Sequence, residues 1–157
     1  ARDVNGTTNG EGCMIGLLFT AAATNASAIA GGSTVSYTNS DGVAGRTATL
    51  SALAGSQIPA TPVIGTTIWY SLQAGDKGVR SIQSITLGTS LVTGTVSLFI
   101  ARDIASVGTV VANIPSPPKV LSDPGVRLYN STCMLHCILS SSNTATFFNG
   151  ELTVQEK

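Results

Sequence analysis

The sequence predicts an all-β protein, a two-sheet β-sandwich of jelly-roll type with an extended N-terminal arm, and three observations carry that prediction. Short apolar runs alternate with polar residues at period two, the spacing that puts every second side chain on one face of a strand. Clusters of Gly, Pro, Asn and Asp separate these runs at short intervals. No stretch shows the 3.6-residue periodicity of an amphipathic helix. Strands and turns without helices select a sandwich or barrel. An immunoglobulin-like sandwich is the weaker alternative, because Trp69 lies far from both Cys13 and Cys133.

Residues 1–12 mix Asn, Gly, Thr and charges without a period and read as the extended arm; residues 13–157 form the single sandwich domain. Cys13 to Thr20 is the first strong apolar run and predicts a buried strand. Leu17, Leu18 and Phe19 put apolar groups on both of its faces, so a partner is expected to cover the outer one. Ala21 to Ala30 is alanine-rich but interrupted by Thr24, Asn25 and Ser27, and reads as a loop with at most one helical turn. Val35 to Tyr37 is a short strand ended by Asp41-Gly42, a turn signal. From Arg46 to Leu53, Thr47, Thr49 and Ser51 alternate with Ala48, Leu50 and Ala52.

Pro59 and Pro62 bracket a stiff connection to a strand over Val63 to Leu72, which holds the only Trp. A polar turn, Ala74 to Gly78, leads to a strand over Val79 to Leu87. The clearest alternation follows in Gly94 to Asp103, with Val96, Leu98 and Ile100 on one face and Thr95, Ser97 and Ala101 on the other; it is expected to be the central strand. Phe99 breaks the small, polar character of that second face. Val107 to Ile114 reads as a strand, Pro115-Ser116-Pro117-Pro118 as an extended linker, and Asp123-Pro124-Gly125 as a turn. Thr132 to Ser140, Thr144 to Phe148 and Glu151 to Val154 complete the expected strands.

Composition narrows function. The chain is 43% hydrophobic but 10% charged, against about 25% charged in ordinary soluble domains. A surface made of Ser, Thr and Ala has little electrostatic protection against association, which points to an assembly component. Net charge is zero, with eight basic and eight acidic residues scattered singly. No Lys/Arg cluster exists to neutralise phosphates, so no nucleic-acid partner is expected. Cys13 to Ala23 is interrupted by Gly16 and Thr20 and falls short of the roughly 20 apolar residues of a spanning helix, so no membrane partner is expected either. The chain begins Ala-Arg-Asp without an apolar signal segment, as after removal of an initiator Met, and cytoplasmic synthesis is expected.

No catalytic, metal or cofactor-binding residue is assigned. Cys133 and Cys137 lie roughly 13 Å apart on a strand of about 3.3 Å per residue, too far for a disulfide, so buried free thiols are expected. His136 falls on the opposite face from both cysteines, which separates it from either thiol. Asp41, Asp76 and Asp123 sit beside Gly or Pro and read as turn formers rather than a carboxylate pair. Gly42-Val43-Ala44-Gly45 lacks the Lys-Ser/Thr of a phosphate cradle. Asn5-Gly6-Thr7, Asn25-Ala26-Ser27 and Asn130-Ser131-Thr132 match the glycosylation pattern, as chance allows in so Asn-, Ser- and Thr-rich a chain. Trp69, Tyr70 and Tyr37 are candidates for a sugar platform, although one of the adjacent Trp69 and Tyr70 rings must face inward. Asp103 beside Arg102 is a candidate for a salt bridge within the chain or across a subunit boundary.

The run Ser84 to Leu91, then Gly94 to Arg102, Asn113-Ile114-Pro115, Arg127-Leu128-Tyr129 and Thr144 to Thr153 resembles small structural proteins of tailed bacteriophage virions. That rhythm of short Thr/Ser/Leu strands is similar to the jelly-roll capsid cement or decoration proteins, over roughly the last two thirds of the chain. The resemblance implies a homotrimer seated on the capsid surface and stabilising the lattice of a major capsid protein. Expected contact residues are Arg2, Asp3 and Asn5 in the arm, Phe19 on its strand, Arg102 and Asp103, and the linker residues Pro115, Pro117 and Pro118. Two other readings stand beside it: a carbohydrate- or receptor-binding module of a tail fibre, and a jelly-roll capsid subunit of a small icosahedral virus. The last usually carries a basic arm, and this terminus has one Arg and no Lys.

Overall fold

The computed structural model describes residues 3–25, 29, 32–50, 58, 61–104, 129 and 133. Six strands lie within them: β1 (Cys13–Ala21), β2 (Thr34–Asn39), β3 (Arg46–Leu50), β4 (Thr67–Ser71), β5 (Val79–Thr86) and β6 (Thr95–Arg102). All pair antiparallel in one sheet of order β5-β2-β3-β4-β1-β6. All the regular elements among the described residues are β-strands, as the alternation requires. The sheet curls until its two end strands, β5 and β6, face each other across a cleft, so that it is nearly a closed barrel. A second sheet is not among the described residues. The strands expected beyond residue 104, and the linker holding Pro115, Pro117 and Pro118, lie outside them.

The inside of the curl is the core. Ile15, Leu17 and Phe19 of β1, Val35 and Tyr37 of β2, Ala48 of β3, and Ile68 and Tyr70 of β4 are each 4% exposed or less. Each fully buried aliphatic or Phe side chain contributes about 1.5–3 kcal/mol, so this cluster is a large stabilising contribution to the fold. Tyr70 carries a hydroxyl into it. Ser33 donates its only proton to the Ile29 carbonyl at 2.8 Å, so the Tyr70 hydroxyl donates to Ser33 Oγ at 2.9 Å and neither group is left unpaired.

β5 departs from simple alternation. Val79, Ile82 and Ile85 recur every third residue, which would put Ile82 on the wrong face of a regular strand. Two register shifts against β2 correct this: Ile85 pairs with Val35, Ile82 with Tyr37 and Val79 with Asn39. Each shift is a bulge that takes up one extra residue, and all three aliphatics reach the core cluster.

Two elements differ from expectation. The alternating strand β6 is an end strand, paired among the described residues with β1 only. β1 takes the interior position, between β4 and β6. β4 starts at Thr67 rather than Val63, because Thr66 N–H bonds the Val63 carbonyl at 3.1 Å with Gly65 at φ 88°. This is the positive-φ geometry of a type II turn, and it leaves Val63 and Ile64 in solvent.

Residues 3–12 do not extend as an arm. Val4 N–H bonds the Glu11 carbonyl, Asp3 N–H bonds Thr7, and Gly12 N–H bonds Lys77. The Gly10 carbonyl accepts from both Val79 N–H (2.9 Å) and Cys13 N–H (3.1 Å), tying the segment to the start of β5. The backbones cross so closely that a Cβ on Gly10 would stand 1.8 Å from the Val79 carbonyl oxygen, at φ 85°. Gly10→Ala is therefore expected to destabilise the domain by about 2–3 kcal/mol, read as a lower urea midpoint; a change under about 0.5 kcal/mol would remove this crossing from the account of the fold.

Candidate functional site

The strands run up and down between two ends of very different chemistry. Among the described residues charges gather at one end: Asp3 and Glu11 in the N-terminal loop, Asp41 and Arg46 around the β2–β3 turn, Asp76, Lys77 and Arg80 around the β4–β5 turn, and Arg102 and Asp103 where β6 stops. These pieces bond to one another, for instance Gly12 N–H to Lys77, Ser40 N–H to Gly78, and Arg102 Nη1 to the Asp3 carbonyl at 3.4 Å. Residues 12–40, 47–75 and 81–101, spans that each hold two antiparallel strands, contain no charged residue.

Two carboxylates organise the charged end. Asp76, with a side chain 3% exposed, lies 3.0 Å from the Arg46 guanidinium. It also accepts the Tyr37 hydroxyl and Asn39 Nδ2 (2.9 Å), while the Tyr37 oxygen accepts Gln73 N–H at 2.9 Å. The bonds from Arg46, then Tyr37 and Asn39, hold the Asp76 carboxyl down at about 2. Asp3 is 1% exposed and accepts N–H groups from Asn5 (3.0 Å), Thr7 (2.7 Å) and Gly10 (3.2 Å), together with the Thr7 hydroxyl. Burial pushes this carboxyl up, but those four bonds outweigh burial and hold it at about 2. Both carboxylates are structural clamps with oxygens already engaged.

The wall of the barrel carries hydroxyls on one side. Thr34 of β2 sits between Thr49 and Thr86, Ser36 between Thr47 and Ser84, and Thr38 beside Ser81, a ladder across β3, β2 and β5. On the other side Gly16 of β1 lies between Trp69 of β4 and Phe99 of β6. A Cβ on Gly16 would come 2.2 Å from the Phe99 ring; the glycine lets Phe99 lie across β1 and meet Trp69 edge-on, with centroids 5.3 Å apart at 75°. Both rings are half-buried, with Met14 and Leu18 beside them on the outer face of β1. Between β5 and β6 the cleft, about 360 Å³, is lined by Thr8, Cys13, Arg80, Leu98 and Phe99 among others.

The expected contact residues scatter. Asp3 and Phe19 are buried, so neither side chain reaches a partner. Asn5 is exposed and donates to Glu11 at 2.7 Å; Arg102 is half-buried against the N-terminal loop, and Asp103 is exposed. Arg2 lies outside the described residues. Tyr37 and Tyr70 both point into the core, so neither joins Trp69 in an external platform. Cys13 is a buried free thiol pushed up by burial and then by the charge of Asp3, whereas Cys133 is exposed, against the expectation of buried thiols; His136 and Cys137 lie outside the described residues. Among the described residues no group of three His, Cys, Asp or Glu side chains could hold a metal, and no helix is long and apolar enough to cross a membrane.

The described residues form an antiparallel β-domain with a hydroxyl and aromatic wall, and the charges among them lie at one end. No protein family, curated protein or solved structure matches the chain.

Carboxyls lowered in the folded state stabilise fully above their unfolded pKa near ~4 and lose that contribution as pH falls through about 2. Acid titration of stability should therefore fall steeply between about pH 4 and 2, and Asp76→Asn or Asp3→Asn should flatten that fall; an unchanged slope in both variants would show that the clamps do not drive acid unfolding. Trp69→Ala and Phe99→Ala should couple by about 0.5–1.5 kcal/mol in a double-mutant cycle measured by denaturant titration, and strict additivity would dissolve the ring pair.

Proposed function

We propose that the protein is a non-enzymatic structural subunit of a virion, a capsid decoration protein that covers its own wall by packing against copies of itself and against a major capsid protein. The observation that carries this reading is the uncharged wall: the hydroxyl ladder on β3, β2 and β5 and the Trp69–Phe99 patch on β4, β1 and β6 offer broad, neutral faces with no charge to desolvate on contact. Burying such a face avoids the penalty of stripping water from ions, and standard interfaces of roughly 1,600 Å² are within reach of a barrel wall. In this reading the strands expected at 107–114, 132–140, 144–148 and 151–154 complete the second sheet of a jelly roll, and the assembled form is a trimer on the capsid surface.

A carbohydrate-binding reading draws on Trp69 standing on the outer face, although its ring is already packed against Phe99. Saturable binding on a glycan array that disappears in Trp69→Ala would favour it.

Light scattering on the purified protein should give a mass built from three-copy units, and the wall variant Thr49→Lys with Ser84→Lys, both exposed, should split those units into single copies. A wild type whose units are single copies at every concentration would overturn the trimer.

A further inference from the structure

We infer that residues 3–9 form a latch that acid releases from the barrel while the sheet stays folded. The inference rests on how one buried carboxylate is bonded, and it does not depend on the wall or on a capsid.

The latch has almost no apolar core of its own. Residues 3–9 read Asp-Val-Asn-Gly-Thr-Thr-Asn, and their one aliphatic side chain, Val4, is 40% exposed. Their order comes instead from Asp3. Its Oδ1 accepts the Asn5 and Thr7 N–H groups, and its Oδ2 accepts Gly10 N–H and the Thr7 hydroxyl. That hydroxyl in turn accepts Asn9 N–H at 3.2 Å. A short segment ordered by hydrogen bonds rather than by apolar burial belongs to the low-stability part of a fold and opens on its own.

Every group bonded to the Asp3 carboxylate is a donor. An ionised carboxylate only accepts, so the match is complete, whereas a neutral carboxyl carries an O–H that needs an acceptor of its own. Protonation therefore sets a fifth hydrogen among four donors, in a place closed to water, and at least one bond breaks without replacement. Among the described residues, the other titratable or charged groups against the loop are Cys13 at the foot of β1, Arg102 of β6, Glu11, Lys77 and Tyr129. Arg102 reaches the Asp3 carbonyl, the Lys77 carbonyl takes Gly12 N–H, and the Tyr129 ring packs on Gly6. Glu11 is the other carboxyl among them, and its bond to Asn5 is exposed.

Release stops at Gly10. The Gly10 carbonyl still takes Val79 and Cys13 N–H, and Gly12 N–H still bonds Lys77, so β1 and β5 stay in place. Opening withdraws Thr8 from the cleft that it lines beside Cys13. Burial raises the Asp3 carboxyl, but its four bonds hold it at about 2 in the closed latch, against about 4 once free in water. A lowered carboxyl makes closure strongest above that free value. Closure then weakens as pH falls toward 2, by up to about a hundredfold.

Amide NMR on the full chain reads loop and sheet together. As pH falls from about 5 to 2, the Asn5, Thr7 and Gly10 peaks should move toward random-coil positions while Ile15, Leu17 and Val35 keep their native ones. Asp3→Asn should show the open positions already at neutral pH, because an amide brings two donors where only acceptors fit. Thr7→Val keeps the shape and removes one donor, and should raise the midpoint of release by about one pH unit. Should Asp3→Asn not fold, that midpoint decides. Glu11→Gln and Asp76→Asn should leave the loop titration where it is. Loop and sheet peaks that change together in the wild type would overturn the inference. So would loop peaks that stay native throughout, a titration that Glu11→Gln abolishes, or a wild-type midpoint in Thr7→Val.

Discussion

One carbonyl oxygen, that of Gly10, holds the ends of the sheet in place. β5 and β6 do not pair with each other, so the curled sheet would be free to open along that seam. The Gly10 carbonyl takes N–H groups from both Cys13, at the foot of β1, and Val79, at the foot of β5. It thereby fixes two strands that are four places apart in the sheet order. The crossing of chains needed for this leaves no space for a side chain on either Gly10 or Gly78, where a Cβ would come within 2.0 Å of backbone. Asp3 supports the same junction by accepting Gly10 N–H, so the carboxylate, the glycine and the two strands form one constraint. The Asp76 clamp braces the neighbouring β2–β3 and β4–β5 turns at the same end.

This explains why the N-terminal segment reads as an arm and is not one. Nothing in the periodicity of residues 3–12 reveals a loop, because its order comes from bonds to Asp3 and to a strand start nearly seventy residues away. The strands themselves are legible where side chains alternate: β1, β2, β3 and β6 begin within a residue or two of their expected positions. β4 begins late because Gly65 makes a turn of Val63 and Ile64, and apolar residues at a turn imitate a strand. The order of strands was not legible. Alternation reports which face of a strand is buried, not whether the strand has one neighbour or two, so it does not place β6 at the edge or β1 inside it.

The site was legible in composition but not in detail. Few charges pointed to an associating surface, yet Phe19 and Asp3, both offered as contacts, are core and clamp. A single apolar or acidic residue does not disclose on which side of a curled sheet it falls. Among the described residues the gathering of charge at one end corresponds to three uncharged spans of sequence, and it acquires meaning only when the strands show that each span begins and ends at that end. The Trp69–Phe99 meeting depends on Gly16, an interruption in an apolar run whose purpose emerges only from the pairing of three strands.

The bulges of β5 bear on how this domain could change length. Each houses one surplus residue, so losing that residue would merge the strand into regular alternation with Val79, Ile82 and Ile85 still directed inward. The loss would fall instead on shape, since bulges are where a strand bends and gains twist. A shortened β5 would keep its core face and lie flatter. The curvature of β5 is thus written into the strand as two surplus residues.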